Sequence, residues 1–306
     1  MSGVAVLGEA LVDLMGDGDR TFRAAPGGSP ANIAVALGRL GHRAVFLGGL
    51  STDRWGRLLA DHLAAGGVEV DRAPRSDRPT AIALVDLAED RSAVYRFLWE
   101  DTADRVVTLD DLPADLDDVD WIQVGSVAAA LPDSGAVAAA LVAREGGRRL
   151  VACDPNVRTM VHGDGPEPRA RLRDLCDVAD LVKISDEDLD FVLPDTSIDQ
   201  AVDRWLERGV ALVAVTRGRD GATLAGPSGR VDVPAPATTV ADTVGAGDTF
   251  MAGVLAGLLD AEVTDRATLE SLETDELGAI GELAARAAAI TVSRVGADPP
   301  MRSDLA

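Results

Sequence analysis

Lysine is almost missing from this chain. Of its 29 basic side chains, 28 are arginine and one, Lys183, is lysine. A P-loop requires Gly-Lys-Ser or Gly-Lys-Thr, and neither tripeptide occurs. The strand lysine and the catalytic loop of protein kinases are absent as well. Any binding of ATP must therefore use another architecture. Cysteine is scarce too: Cys153 and Cys176 are the only two, too few for a disulfide framework. The three histidines, His42, His62 and His162, show no metal-ligand spacing, which disfavours zinc chemistry. No apolar run reaches membrane-spanning length. The N-terminus lacks the basic start and cleavage site of a signal peptide and reads as a first strand, so a cytoplasmic location is expected. A dinucleotide fingerprint is also lacking. The first strand runs into Gly8-Glu9-Ala10-Leu11, which disfavours a dehydrogenase.

Acid is in excess, with a net charge of −22. That argues against nucleic acid and anionic membranes as partners, while leaving room for a nucleotide held in a local cleft. The 306 residues, 47% of them hydrophobic, suffice for one large α/β domain. No internal repeat or low-complexity linker divides the chain.

The pattern is mostly strand followed by helix. Strands are expected at Val4–Leu7, 44–49, 121–124, 149–153, 181–184 and 211–216. Helices are expected at 33–40, Asp53–Ala65 with Trp55, Leu58, Leu59 and Leu63 inward, 134–144, 167–175, 186–191, 198–207 and 275–294. A hairpin is expected at 223–225 and 230–233. This order predicts a three-layer α/β/α, doubly wound, mainly parallel sheet. One stretch breaks the alternation. Residues 80–86 and 92–99 read as two strands joined by Ala88-Glu89-Asp90-Arg91. With residues near 12–24 they predict a small β lid, formed by about 12–24 and 79–100 of a single 1–306 domain. The lid's open edge invites pairing with a second copy.

Three strand ends carry polar loops: Asp154-Pro155-Asn156-Val157-Arg158, Ser185-Asp186-Glu187-Asp188 and Thr216-Arg217-Gly218-Arg219-Asp220-Gly221. Ligands of open α/β sheets gather at such ends. Asp13 stands among apolar residues. Asn32 lies about one turn into its helix, where asparagine gains nothing from propensity. The densest signal is Asp242-Thr243-Val244-Gly245-Ala246-Gly247-Asp248-Thr249-Phe250. The β-branched Thr238-Thr239-Val240 precedes it, so it reads as extended chain entering a helix. Two readings fit: a plain turn with Asp248 as N-cap, or an anion hole of first-turn N–H groups with Asp248 as a base.

Two stretches together resemble the signatures of the ribokinase-like (PfkB-type) carbohydrate kinases. They are Gly27-Gly28-Ser29-Pro30-Ala31-Asn32-Ile33-Ala34 and the Asp242–Phe250 motif, one near each end of the chain. The resemblance implies transfer of the ATP γ-phosphate to a sugar hydroxyl with Mg²⁺. It implies Asp248 as base, with the N–H groups of Gly245, Ala246 and Gly247 as the anion hole. Asp13, Gly27, Gly28, Asn32, Arg96 and Arg158 would meet the sugar or its phosphate. Ser185, Thr216, Gly218, Gly221 and Gly247, with the start of the last long helix, would hold the nucleotide. Where the family often carries Asn-x-x-Glu, this chain has Ser185 and Asp188, which keep oxygen ligands for Mg²⁺ and leave its contacts open. A monovalent cation such as K⁺ would rest on Asp242, the Val244 carbonyl and the 293–298 stretch. Gly8-Glu9-x-x-x-Asp13, Asp154-Pro155-Asn156-x-Arg158 and Lys183-x-Ser185 resemble the fructokinase branch. The implied reaction is fructose to fructose 6-phosphate. 2-Keto-3-deoxygluconate kinase or ribokinase are the alternatives, and a non-catalytic sugar-binding regulator is the reading from another class.

Overall fold

The structure, a computed structural model, describes residues 2–16, 21–87 and 93–306. β1 (Gly3–Val6) is buried throughout, as a central parallel strand must be. The chain then leaves the main sheet for β2 (Leu11–Gly16) and β3 (Phe22–Gly27). α1 (Ser29–Arg39) opens with proline in its first turn and no side-chain cap. β4 (Arg43–Phe46) and β5 (Leu50–Ser51) lead to α2 (Arg54–Ala65), where the Asp53 carboxylate accepts the Trp55 and Gly56 N–H groups. β6 (Val68–Glu69), β7 (Arg75–Ser76), β8 (Ala81–Leu87) and β9 (Ala93–Leu98) follow.

Regular alternation then resumes with β10 (Trp121–Gly125), α3 (Ser126–Ala130), α4 (Pro132–Glu145) and β11 (Leu150–Asp154). After α5 (Thr159–His162) and α6 (Pro166–Cys176) come β12 (Leu181–Ser185), α7 (Asp186–Val192), α8 (Ile198–Glu207) and β13 (Leu212–Thr216). A hairpin of β14 (Ala222–Gly226) and β15 (Gly229–Val233) precedes α9 (Ala246–Asp260), α10 (Arg266–Glu270) and α11 (Thr274–Val292).

Nine strands form the main sheet in the order β15-β14-β13-β12-β11-β10-β1-β4-β6, parallel except for the terminal hairpin. Alternate residues of each strand feed two separate cores. Val4, Val6, Ala152 and Leu181 pack with α1, α2, α9 and α11. Ala5, Val151, Val182 and Ile184 pack with α4, α6, α7 and α8 on the other face. This is the expected α/β/α sandwich. A second sheet, β3-β2-β8-β9, stands apart and is antiparallel except between β2 and β8. One of its faces carries Leu11, Ala81, Ala83 and Trp99, which pack on Val127 and Leu131 of the α3 region.

Several expectations need correction. Thr238–Val240, expected as extended chain, is exposed and belongs to no strand. Leu58 is 36% exposed rather than inward, since α2 turns Leu59 and Leu63 to the core. The short helices α3, α5 and α10 went unforeseen, being too brief to show a period. The stretch 88–91, expected as a turn, lies outside the described residues, as does part of the 12–24 stretch.

Candidate active site

α9 is buried almost end to end, from Asp248 to Leu259. Its first turn is set by Gly245, which sits at φ 76°. A Cβ there would meet the Ala297 methyl at 2.7 Å, so only glycine fits. No side chain caps this turn, and its N–H groups are among those a helix leaves unpaired. Of the three N–H groups expected to form the anion hole, that of Ala246 makes a long 3.3 Å bond to the Thr243 carbonyl. The Asp242 carboxylate ties the turn down from the other side, accepting the N–H of Val244 at 3.1 Å and of Gly296 at 2.9 Å. Residues 293–298 are thus fastened to the turn.

The two signature stretches meet. Asn32 of α1 donates its amide to the Asp248 carboxylate at 2.8 Å, across 216 residues of sequence. The side chain expected among sugar contacts therefore also orients the expected base. Gly28, at φ 100°, lies so close to Glu9 that a Cβ would stand 2.7 Å from its carbonyl oxygen. Gly27 leaves room for Asp13: a Cβ there would stand 2.4 Å from the Asp13 carboxylate. Asp13 itself has no hydrogen-bond partner among the described residues. Burial alone pushes its pKa up to about 6. A half-buried carboxylate without a partner is a ligand contact in waiting.

Strand register decides which other residues join. On the small sheet Asp13 lies beside Ala25 and Ala83, and Ala83 beside Phe97. Arg96 is one residue on, so the pleat turns it to the opposite face, exposed. It is not brought together with Asp13 and Asp248. Arg158 is exposed, and one N–H of its guanidinium donates to the Val157 carbonyl at 2.7 Å. Ser185 caps α7, accepting the Asp188 N–H at 3.0 Å, and Asp188 accepts the Val157 N–H at 3.2 Å. Ser185 and Thr216 are register partners on β12 and β13. Gly218 and Gly221 frame the turn after β13. The start of α11, expected near the nucleotide, lies at the far end of the sandwich. α11 runs antiparallel to α9, with Gly257 against Ile280, Gly253 against Ala284, and the Thr291 hydroxyl on that of Thr249 at 2.9 Å. It is the C-terminal end of α11 that reaches the turn.

Two groups had no assigned role in the sequence reading. Lys183 is 3% exposed, and its ammonium lies 2.9 Å from the fully buried Asp154 carboxylate. Glu9, also buried, accepts from the Ser126 hydroxyl at 2.6 Å and the Ala128 N–H at 3.1 Å. Asn156 donates to the same Ser126 hydroxyl at 3.0 Å. Burial pushes Glu9 up to about 7. It knots together the ends of β1, β10 and β11 behind Gly28. The signal was present in both cases: a charged residue inside an apolar strand run, Leu181-Val182-Lys183-Ile184, and another at the end of one, Val6-Leu7-Gly8-Glu9.

Residues 1–304 match the pfkB family of carbohydrate kinases. A fructokinase of Rhizobium leguminosarum bv. trifolii is 36% identical over 274 residues, covering 88% of this chain and 84% of that protein. The crystal structure of a fructokinase from Xylella fastidiosa with bound ATP superposes with a TM-score of 0.91 at 29% identity, covering 99% and 96% of the two chains. A double mutant of the Vibrio cholerae fructokinase, holding fructose, ADP and potassium, gives a TM-score of 0.84 at 30% identity over 97% and 94%. On motifs, fold and relatives alike, the chain belongs to the pfkB family of carbohydrate kinases.

Proposed function

We propose that this protein phosphorylates fructose at the expense of ATP, giving fructose 6-phosphate and ADP. The Asn32–Asp248 hydrogen bond at the uncapped start of α9 carries the reading, because it places an oriented carboxylate beside unpaired N–H donors. Asp248 takes the proton of the attacking hydroxyl as the new O–P bond forms and the bond to the ADP oxygen breaks. The N–H groups of Gly245 and Gly247 hold the phosphoryl oxygens. Asp13, Gly28 and Asn32 hold the sugar, and the small sheet acts as a lid that excludes water. The loop from Thr216 to Gly221 and the exposed Val240, Val244 and Val295 frame the nucleotide.

The donors suit hard cations. Mg²⁺ takes few protein carboxylates and fills its shell with water and phosphate oxygens. Among the described residues no cluster of three or more ligating side chains forms, and Asp188 is the acidic side chain of the Ser185–Asp188 stretch assigned to hold it. Mg²⁺ supplies charge neutralisation to the ATP phosphates. Each Asp242 oxygen accepts one N–H and keeps a lone pair, so the carboxylate suits K⁺ beside the turn. Faster turnover in K⁺ than in tetramethylammonium at matched ionic strength is the expected result, and equal rates would leave Asp242 as an anchor only.

No helix among the described residues is long and apolar enough to cross a membrane. The open edges β3 and β9 favour a homodimer through the lid, which sedimentation velocity tests. The deciding experiment for the substrate is a coupled ADP assay over fructose, ribose, 2-keto-3-deoxygluconate, tagatose and adenosine. Preference for either sugar acid or ribose would move the assignment to the corresponding kinase. ADP formation with none of them would favour a binding protein without phosphoryl transfer.

A further inference from the structure

A strongly acidic protein that handles polyanionic ATP needs positive charge where the phosphoryl group moves. The two arginines expected at the substrate are both exposed, Arg96 on the face of the small sheet opposite Asp13 and Arg158 after β11; neither is buried beside Asp248. Lys183 is. Ala152 and Leu181 face α9, and alternation turns Asp154 and Lys183 the same way on the neighbouring strands β11 and β12. A Cβ built on Gly247 would stand 3.0 Å from the Lys183 nitrogen. The ammonium therefore rests against the back of the anion-hole turn, where any other residue at 247 would put its side chain. Only one of its three N–H donors has a partner among the described residues, the Asp154 carboxylate. Asp154, Asp188 and Asp248 all act on it electrostatically, which keeps it charged despite burial.

A merely structural role is a poor explanation for this pair. Burying two charges costs most of what their attraction returns, and apolar residues of like volume commonly serve stability as well or better. Much of this face of the sheet is apolar, with Val4, Val6, Ala152 and Leu181 packed under the helices. Lysine in place of arginine also has a physical reason. Its compact ammonium fits under a glycine turn where a planar guanidinium with five donors does not.

We propose that Lys183 is a positioning residue for phosphoryl transfer: its ammonium, fixed by Asp154, backs the Gly245–Asp248 turn with the positive charge that holds the transferring phosphoryl group. The proposal rests on the phosphoryl-transfer reading above. It deepens that reading by naming a source of charge behind the backbone donors.

Lys183→Met removes the charge at similar length but strands Asp154 unpaired in the core, so the single variant is expected to lose stability as well as activity. The informative protein is Lys183→Met combined with Asp154→Asn, which leaves neither charge buried. Its melting temperature should return toward that of the unmodified enzyme, while kcat stays about 10²-fold down, as for loss of an anion-hole donor. Calorimetry adds a readout without turnover. ATP binding should weaken by about tenfold or more in the double variant, whereas adenosine, which has no phosphate, should bind unchanged. Recovery of kcat together with stability would assign the pair to folding alone and overturn the proposal, as would equal losses for ATP and adenosine. Asp248→Asn serves as the reference. If it turned over normally, the phosphoryl-transfer reading would fall. If it were dead while the double variant worked, only the role of Lys183 would.

Discussion

The two halves of the site are built on different foundations. The phosphoryl half stands on α9, a helix buried on all sides between α1, α11 and the main sheet, with Lys183 and Asp154 beneath it. The sugar half stands on a four-stranded sheet apart from the main one, which packs on the body through Leu11, Ala81, Ala83 and Trp99 on one face and Val12, Leu14 and Ala24 on the other, and whose β9 carries Leu98 at 63% exposure. Asp248 is 8% exposed and held by Asn32; Asp13 is half-buried and held by nothing among the described residues. The difference teaches a division of labour. On the proposed roles, the groups that would act when the bond breaks are preorganised in a dense core, and those that would choose the sugar sit on the outlying sheet. The first signature joins the halves, since Gly27 makes room for Asp13 while Asn32 reaches Asp248.

The sharpest way to break this comparison is Asp248→Asn. It keeps the shape of the rigid half and removes its base. A positioned base contributes ~10²–10⁴-fold, so kcat should fall by that order while fructose and ATP still bind. Steady-state kinetics with equilibrium binding decide it; near-normal turnover would end the mechanism.

The next test concerns the foundations themselves. Leu255 of α9 is fully buried, and Leu255→Ala should cost about 2–5 kcal/mol in denaturant unfolding. Leu98→Ala on the small sheet should stay within about 0.5 kcal/mol. Similar costs at both positions would show that the small sheet is as firmly built as the body.

These tests also separate what a reader of the sequence can and cannot see. The α9 turn was legible because its information is local: two glycines, an alanine and two aspartates within seven residues. The layered fold was legible because strand and helix periods alternate cleanly after residue 121. Arg96 was misplaced because the face of a strand residue depends on pairing parity, and one residue of register moves it to the other side. The start of α11 was misplaced because sequence gives a helix its length but not its direction against α9. Lys183 and Asp154 were read separately because only the parallel register of β11 and β12 sets them side by side. Asn32 was seen as polar and well placed, yet its partner lay 216 residues away.

Asp13→Ala probes the sugar half. Loss of a hydrogen bond to a charged group costs roughly 1.5–3 kcal/mol, so KM for fructose should rise about ten- to a hundredfold. KM for ATP should be unchanged. Equal effects on both substrates would take Asp13 out of the sugar site and dissolve the comparison.

Acidity offers a finer version of the same test. Burial raises the Asp13 pKa to about 6 in the folded protein, above its ordinary value of 3.8. Between those two values the folded state holds a proton that the unfolded chain has released. Stability from this group therefore grows as pH falls from about 6 toward 4 and is lost as pH rises through 6. Sugar binding should run the opposite way. A carboxylate accepts hydroxyl protons better than a neutral acid does, so protonation weakens its hold on fructose. One unit below the pKa, near pH 5, KM for fructose should be about tenfold above its neutral value. Asp13→Asn should flatten that dependence at a uniformly weaker KM. Asp13→Asn should leave kcat at neutral pH much less affected than KM, which keeps this test on the sugar half. A fructose KM that stays level from pH 7.5 to 5 in the unmodified enzyme would mean that Asp13 does not meet the sugar as a carboxylate. The small sheet would then contribute shape to the site but no charge.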